Sequence, residues 1–196
     1  MNLYNIIIFI LGAYLLGSIH PGLIIGKSKG VDIRKSGSGN VGTTNVFRLL
    51  GKKWGIIVFI CDTLKGWAPV FLALCITRAS TVAVLTAAAV ILGHTFSIFS
   101  KFKGGKGVAT GLGAAVALVP IIAFIAFLEF LIIFKFTKTV SLASLISVST
   151  VCFLTLVSDQ TTVLTAFILL GTILIFYAHR ANIVRLYKGT ENRFGG

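Results

Sequence analysis

The chain has 196 residues, of which 56% are hydrophobic and 12% charged, with a mean hydropathy of +0.99. A soluble globular domain carries about 25% charged residues, so this chain is too apolar to keep a water-facing surface, and a soluble enzyme, a disordered tail, a coiled coil and a disulfide-rich secreted domain are excluded. Eighteen Lys and Arg against five Asp and Glu give a formal net charge of +13; this predicts basic cytoplasmic loops and anionic ligands or lipid head groups rather than nucleic acid, for which no soluble module is long enough.

In chain order, the first apolar run covers 3–25. It has no basic segment ahead of it and is long enough, at about 20 residues per crossing, for a retained span rather than a cleaved signal peptide. A polar loop, 26–53, leads to spans at 54–76 and 81–99, joined by a turn with Arg78. A basic, glycine-rich loop follows at 101–107. The apolar stretch 108–134 divides at Pro120 into 108–119 and 121–134, because proline removes a helix hydrogen bond and disfavours helix at the residue before it. A polar break at 135–144 (with Val140 and Leu142 inside it), a span at 145–157, the interruption Ser158-Asp159-Gln160, a last span at 161–178 and a basic tail complete the chain.

Parity supports the division. Undivided, the stretch gives six spans and leaves the basic tail outside. Divided, it gives seven, and loops 26–53, 101–107, 135–144 and the tail share the cytoplasmic side with only Arg78 opposite, as the positive-inside bias requires. The expected fold is an all-α integral membrane protein with seven transmembrane helices, N-terminus outside and C-terminus cytoplasmic, forming one polytopic membrane domain over 1–196. Residues 108–119 make only about 18 Å of helix against a core about 30 Å thick, so this piece needs shelter from neighbours or a thinned bilayer. Gly22, Gly26 and Gly30, or Gly107, Gly111 and Gly113, would let helices approach closely.

Three polar segments carry the candidate chemistry. The first is Gly37-Ser38-Gly39-Asn40-Val41-Gly42-Thr43-Thr44-Asn45, followed by Arg48. Its glycines would let backbone amides turn to one point as an anion nest, and Arg48 offers a planar fork to phosphate. A plain flexible loop with an N-cap at Thr43, Thr44 or Asn45 is the alternative. The second is Lys101-Phe102-Lys103-Gly104-Gly105-Lys106-Gly107, opening into an apolar helix. A helix N-terminus with three lysines suits phosphate. The Walker A spacing fails because Gly107 follows Lys106, so ATP is not invoked; a lipid-facing basic loop would look similar. The third pairs Ser141-Leu142-Ala143-Ser144 with His179-Arg180-Ala181-Asn182 and the more distal Arg185 and Glu191. Arg180 and Arg185 read as interfacial anchors. His179 reads as a satisfied interfacial histidine or as a base near neutral pH.

Asp62 and Lys65 stand three apart in the second span. Each would cost about 2.5–3.5 kcal/mol if lipid-exposed, so they are expected to pair inward, either as structure or as site lining. His94 closes the third span beside the lysine-glycine loop and would reach the same ligand. Glu129 has no evident partner. Cys61, Cys75 and Cys152 lie in apolar runs and read as small buried hydrophobes. The five acids are scattered, so no paired-carboxylate site and no acidic magnesium cage is expected.

The blocks G-S-G-N-V-G-T-T-N-V-F-R, G-H-T-F-S-I-F-S-K-F-K-G-G-K-G-V-A-T, and S-L-A-S with H-R-A-N-I-V-R-L-Y-K-G-T-E together resemble the bacterial acylphosphate-dependent glycerol-3-phosphate acyltransferases, the PlsY family. They fall in the right order, and the whole chain fits the family length. The family usually has Pro where this chain has Ser97, and a Pro after S-L-A-S that is missing here. The resemblance implies seven spans in the bacterial plasma membrane and a site facing the cytoplasm. It also implies transfer of a fatty acyl group from acyl phosphate to the sn-1 hydroxyl of glycerol 3-phosphate, giving lysophosphatidic acid and phosphate, without metal or cofactor. Implied partners are these two substrates, membrane lipid and the soluble enzyme that makes acyl phosphate.

On this reading Ser38, Arg48, Lys106 and His179 are catalytic. Gly37, Gly39, Asn40, Thr44, Asn45, His94, Lys103, Gly104, Gly105, Gly107, Ser141, Ser144, Asn182 and Glu191 bind substrate. Direct attack by the hydroxyl is expected, with either His179 or a substrate phosphate oxygen as base. The alternative function is a membrane transporter of an organic phosphate, which the basic loops also fit but for which no inverted repeat is visible. An acyltransferase of the H-x-x-x-x-D type is disfavoured because Phe99 stands at the Asp position after His94.

Overall fold

In a computed structural model, residues 3–194 are described. Their regular structure is helical throughout: α1 (Leu3–Ser18), α2 (Pro21–Ser28), α3 (Thr43–Leu50), α4 (Lys52–Thr77), α5 (Ser80–Thr95), α6 (Val108–Leu118), α7 (Pro120–Thr137), α8 (Val140–Val157), α9 (Thr162–Ala178) and α10 (Arg180–Tyr187), with a short 3₁₀ turn at Ile98–Ser100. They form two compact units, Met1–Leu118 and Val119–Gly196.

Among the described residues, five stretches are long and apolar enough to cross a bilayer: Ile6–Ser28, Lys52–Thr77, Ser80–Ser100, Pro120–Thr137 and Val140–Val157. The pair α9–α10, bent by 61°, passes the same test together. Helix α6 has 11 residues, about 16 Å at 1.5 Å per residue, and is too short to cross alone. The chain breaks between α6 and α7 at Val119, with Pro120 in the first turn of α7, where its missing N–H costs nothing.

Four boundaries differ from expectation. The first apolar run is not one helix: α1 stops at Ser18 and α2 restarts at Pro21, again with proline in the first turn. The polar loop 26–53 contains α3, a short amphipathic helix. The break at 135–144 shrinks to two residues, because Lys138 takes a left-handed conformation (φ 55°) and its N–H closes α7 on the Phe134 carbonyl, after which α8 starts at once. The basic tail holds a further helix, α10. Short polar helices carry too little apolar periodicity to be seen against long apolar spans.

Small residues set the packing of the first unit. An added Cβ at Gly17 of α1 would strike the Val90 carbonyl of α5, and one at Gly93 would strike the Tyr14 carbonyl in return. The α4–α6 contact is equally reciprocal: the Thr110 backbone occupies the place a Cβ on Gly66 would take, and the Thr63 backbone that of a Cβ on Gly113. Such contact lets dispersion and close backbone approach hold helices together where lipid removes the hydrophobic drive. Of the expected close-approach glycines, Gly22 and Gly26 do meet residues of the following loop, whereas Gly30 meets nothing within 4 Å. Beneath that loop Ile33, Val41, Val46 and Val58 form a small core, flanked by Leu23, Leu49 and Trp54.

The second unit packs α7 on α8 and α8 on α9, with Ala123, Ala126, Ala143, Ser144 and Ser147 buried. Its outward side chains are large and apolar, Ile121, Phe124 and Phe136 among them, as a lipid-facing surface requires. Cys75 is exposed and Cys61 and Cys152 are half-buried, which corrects the expectation of buried thiols. Nothing among the described residues explains Glu129, whose Oε2 is buried with no partner.

Gly113→Leu should lower thermal stability in detergent, since overpacking against backbone costs about 1–3 kcal/mol or more. Gly171→Ala, where nothing lies within 4 Å, should leave the melting temperature unchanged or raise it. Equal losses in both variants would contradict the close α4–α6 contact.

Candidate active site

The first polar segment is built around Asn45. This residue is fully buried at the start of α3. Its amide donates to the Ile33 and Ser36 carbonyls (2.8 and 3.1 Å), and its Oδ1 accepts the Ser38 N–H at 2.9 Å. Asn45 therefore braces the loop from inside. The Gly39 N–H closes on Ser36 O, and the Gly42 N–H on Asn40 Oδ1 at 2.8 Å. The anion nest expected here is not formed as such: the amides of Ser38, Gly39 and Gly42 serve the loop itself. The loop presents instead the exposed Ser38, between Gly37 and Gly39 at φ +60° and +70°. Gly42 is the N-cap of α3, not Thr43, Thr44 or Asn45, and it caps without a side-chain bond. Thr44 and Arg48 lie half-buried on α3, one turn apart, so they share a helix face.

The second segment is built on the C-terminus of α5. The Gly104 and Gly105 amides donate to the Thr95 and His94 carbonyls, both at 3.0 Å. A Cβ on Gly104 would strike the His94 carbonyl, and one on Gly105 would strike His94 Nε2. These two glycines are thus required by packing, and their amides do not cradle an anion. Gly107 has φ +80° and α6 begins at Val108. The first amides of α6 have no intrahelical acceptor, which leaves a positive helix end beside Lys106. Lys103 is exposed at the rim and Lys106 half-buried.

Beneath this turn His94 is buried. Its Nδ1 lies 3.1 Å from Thr110 Oγ1 and 3.6 Å from Asp62 Oδ1. Asp62 pairs with Lys65 at 2.8 Å, and Lys65 Nζ also donates to the Ile19 carbonyl at the α1–α2 break. His20 packs edge-on against His94, with ring centroids 5.2 Å apart. The expected Asp62–Lys65 pair exists and faces inward. His20 joining it was not legible, because nothing local marks its burial.

In the second unit, the Glu191 carboxylate gathers Asn182 Nδ2 (2.6 Å), Arg185 Nε (2.7 Å) and Ser141 Oγ (3.0 Å). Partial burial pushes this carboxyl up, but the three donors and the Arg185 charge outweigh it and hold the group below its ordinary value. Ser144 is buried one turn below Ser141. Arg185 joins this cluster, while Arg180 stacks on Tyr177 at 4.4 Å. His179 sits at the bend between α9 and α10, its Nδ1 2.9 Å from the Ile175 carbonyl. A carbonyl only accepts, so Nδ1 carries a proton in this contact. Among the described residues no three His, Cys, Asp or Glu side chains gather as metal ligands would.

The family model for glycerol-3-phosphate acyltransferase matches residues 7–189. Curated glycerol-3-phosphate acyltransferases from Aquifex aeolicus and Geobacter metallireducens are each 47% identical, covering 93% and 96% of this chain and 95% and 97% of theirs. Solved structures of PlsY (YgiH), described as an integral membrane glycerol 3-phosphate acyltransferase, are 43% identical and cover 97% of this chain and 96% of their own. The glycerol 3-phosphate form superposes with TM-score 0.93 and the lysophosphatidic acid form with 0.90.

The depressed Glu191 carboxyl gives stability that is present above its ordinary value of 4.5 and is lost as pH falls through that value and below. The melting temperature of the wild-type protein should therefore drop on acidification more steeply than that of Glu191→Gln, which should already be less stable at neutral pH. Parallel acid limbs in the two proteins would contradict this account.

Proposed function

The chain belongs to the glycerol-3-phosphate acyltransferase family, and on that premise we propose how it performs the family's reaction. It is an integral membrane acyltransferase of phospholipid synthesis that acylates glycerol 3-phosphate to lysophosphatidic acid. In our reading the donor is acyl phosphate. The enzyme crosses the bacterial plasma membrane seven times, with α6 counted as a short span sheltered by α4, the N-terminus outside, and the C-terminus and site facing the cytoplasm. The soluble enzyme that makes acyl phosphate is its supplier.

The observation that carries this reading is the start of α6. A helix N-terminus, preceded by Lys106 and Gly107 and rimmed by Lys103, offers positive potential and amide donors to a phosphate. Glycerol 3-phosphate is held there. Arg48 binds a second phosphate, that of the donor, through its planar fork. The sn-1 hydroxyl attacks the acyl carbonyl carbon, the carbonyl oxygen becomes an oxyanion, and the C–O bond to phosphate breaks to release inorganic phosphate. Ser38 donates to the oxyanion, a contribution of about 2.7–4 kcal/mol for one well-placed donor. The hydroxyl proton passes either to His179 or to a substrate phosphate oxygen. Orientation of the two reactants supplies up to about 7–11 kcal/mol of the barrier reduction. In the second unit, Glu191 holds Asn182 and Ser141, which the family resemblance makes substrate-binding, in fixed positions.

Purified protein given acyl phosphate and glycerol 3-phosphate should release inorganic phosphate, with EDTA present, and should release none when acyl-CoA replaces acyl phosphate. A carrier for an organic phosphate would release none in either case. Ser38→Ala and Arg48→Ala should each cut kcat/KM by about 100-fold or more in protein that still folds. Gly105→Ala, by displacing the turn from His94, should mainly raise KM for glycerol 3-phosphate. A His179→Ala variant that retains the wild-type pH profile assigns the proton to the substrate phosphate. In a chain freed of its native cysteines, Ser38→Cys and Lys106→Cys should label from the same side of the membrane; labelling from opposite sides would overturn the reading.

A further inference from the structure

The reaction above makes no use of Asp62, Lys65 or His20, although all three are buried in the first unit beside the glycine-rich turn, with relative exposures of 2%, 7% and 4%. Charged groups inside a span are costly unless paired, and this pair is held from two directions. Lys65 reaches Asp62 at 2.8 Å and the Ile19 carbonyl at 2.6 Å. That carbonyl lies in the α1–α2 break, so Lys65 is pinned to backbone that cannot move without moving a helix end. Asp62 in turn faces His94 Nδ1, with Thr110 Oγ1 on the same nitrogen. The opposite nitrogen, Nε2, is the atom against which Gly105 packs. The His20 ring packs at a right angle to the His94 ring and has no hydrogen-bond partner at either nitrogen among the described residues, so it contributes shape rather than a bond.

We propose that Asp62, clamped by Lys65, is a positioning residue: by fixing the His94 ring it sets the height and orientation of the Gly104–Lys106 turn, and through it the affinity for the phosphate of glycerol 3-phosphate. The chain of contacts runs from the α1–α2 break through Lys65 and Asp62 to His94, and from His94 to Gly105 and the first turn of α6. A carboxylate beside Nδ1 favours the ring form with the proton on that nitrogen, which presents an unprotonated Nε2 to the glycine surface. The proposal rests on the reading that this turn serves the glycerol 3-phosphate phosphate.

Three variants of the full chain in detergent test it: Asp62→Asn, Asp62→Asn/Lys65→Gln, and Asp62→Asn/Gly105→Ala. The double replacement of the ion pair removes both charges, so it stays informative if Asp62→Asn alone fails to fold around an unpaired lysine. The folded pair variant should show KM for glycerol 3-phosphate raised about tenfold, with kcat and KM for acyl phosphate near wild type. Amide hydrogen exchange in 101–107 should quicken while α4 stays protected. In the Gly105→Ala background the Asp62→Asn effect on KM should largely vanish, since both act through one turn. An unchanged KM for glycerol 3-phosphate, or an equal loss against both substrates, overturns the positioning role. The underlying reading fails separately: it fails if glycerol 3-phosphate does not slow exchange in 101–110 of the wild-type protein. Protection there, combined with a wild-type KM in the pair variant, defeats the positioning role alone.

Discussion

A helix that ends in or near lipid leaves its last carbonyls without partners, and no water is at hand to satisfy them. The polar architecture of the first unit follows from answering those carbonyls. At the end of α1, Ser97 Oγ donates to the Ser18 carbonyl at 2.7 Å and Lys65 Nζ to the Ile19 carbonyl. Near the end of α5, the Tyr14 hydroxyl donates to the Phe96 carbonyl, and the amides of Gly105 and Gly104 take the His94 and Thr95 carbonyls. The glycine-rich turn is therefore the cap of α5 before it is anything else. Its two glycines are needed because a Cβ at either would collide with His94. Ser97 illustrates the same constraint: a proline there has no hydroxyl, so in this chain the side chain completes an end that a proline would leave to others.

The second unit meets a related demand with one carboxylate. Glu191 lies beyond the last helix, yet it ties Ser141 at the start of α8 to Asn182 and Arg185 on α10. The Phe194 amide donates to the Lys138 carbonyl, and its ring packs edge-on against Phe134. A tail with few apolar residues is thus held by polar bonds at one point and by one aromatic contact at another. Charge-assisted hydrogen bonds of this kind are roughly twice as strong as neutral ones, which lets a short, otherwise weakly bound segment order the side chains ahead of it.

The sequence made the helical class legible because hydropathy alone decides between lipid and water, and Pro120 marked the α6–α7 break because proline has no amide to give. The inward pairing of Asp62 with Lys65 was legible from cost and spacing. What could not be read was direction. Gly39, Gly104 and Gly105 announce unusual backbone, but whether their amides turn towards a ligand or into the fold depends on which carbonyls the fold places beside them, here those of Ser36, Thr95 and His94. Asn45 looked like a ligand residue for the same reason: an amide side chain near glycines suits phosphate as well as it suits a loop, and only burial separates the two. Helices α3 and α10 were missed because eight residues of mixed polarity carry little periodic signal beside runs of twenty apolar ones.

Tying the turn to helix ends has a consequence for the proposed reaction. Acyl phosphate is amphiphilic, so its alkyl chain keeps the reactive carbonyl near the head-group level without help from the protein. Glycerol 3-phosphate is freely soluble and has no such restriction; it gains one only by binding. A phosphate site carried on a mobile loop would leave the depth of the sn-1 hydroxyl undefined, and much of the rotational and translational freedom would still have to be removed at the transition state. On the proposed mechanism, a site at the start of α6, fixed by His94 to α5 and by Lys65 to the α1–α2 break, would have its depth set by the spans themselves. The soluble reactant is then brought to the level that the lipid-like one already occupies, and the ordering is completed during folding rather than during catalysis.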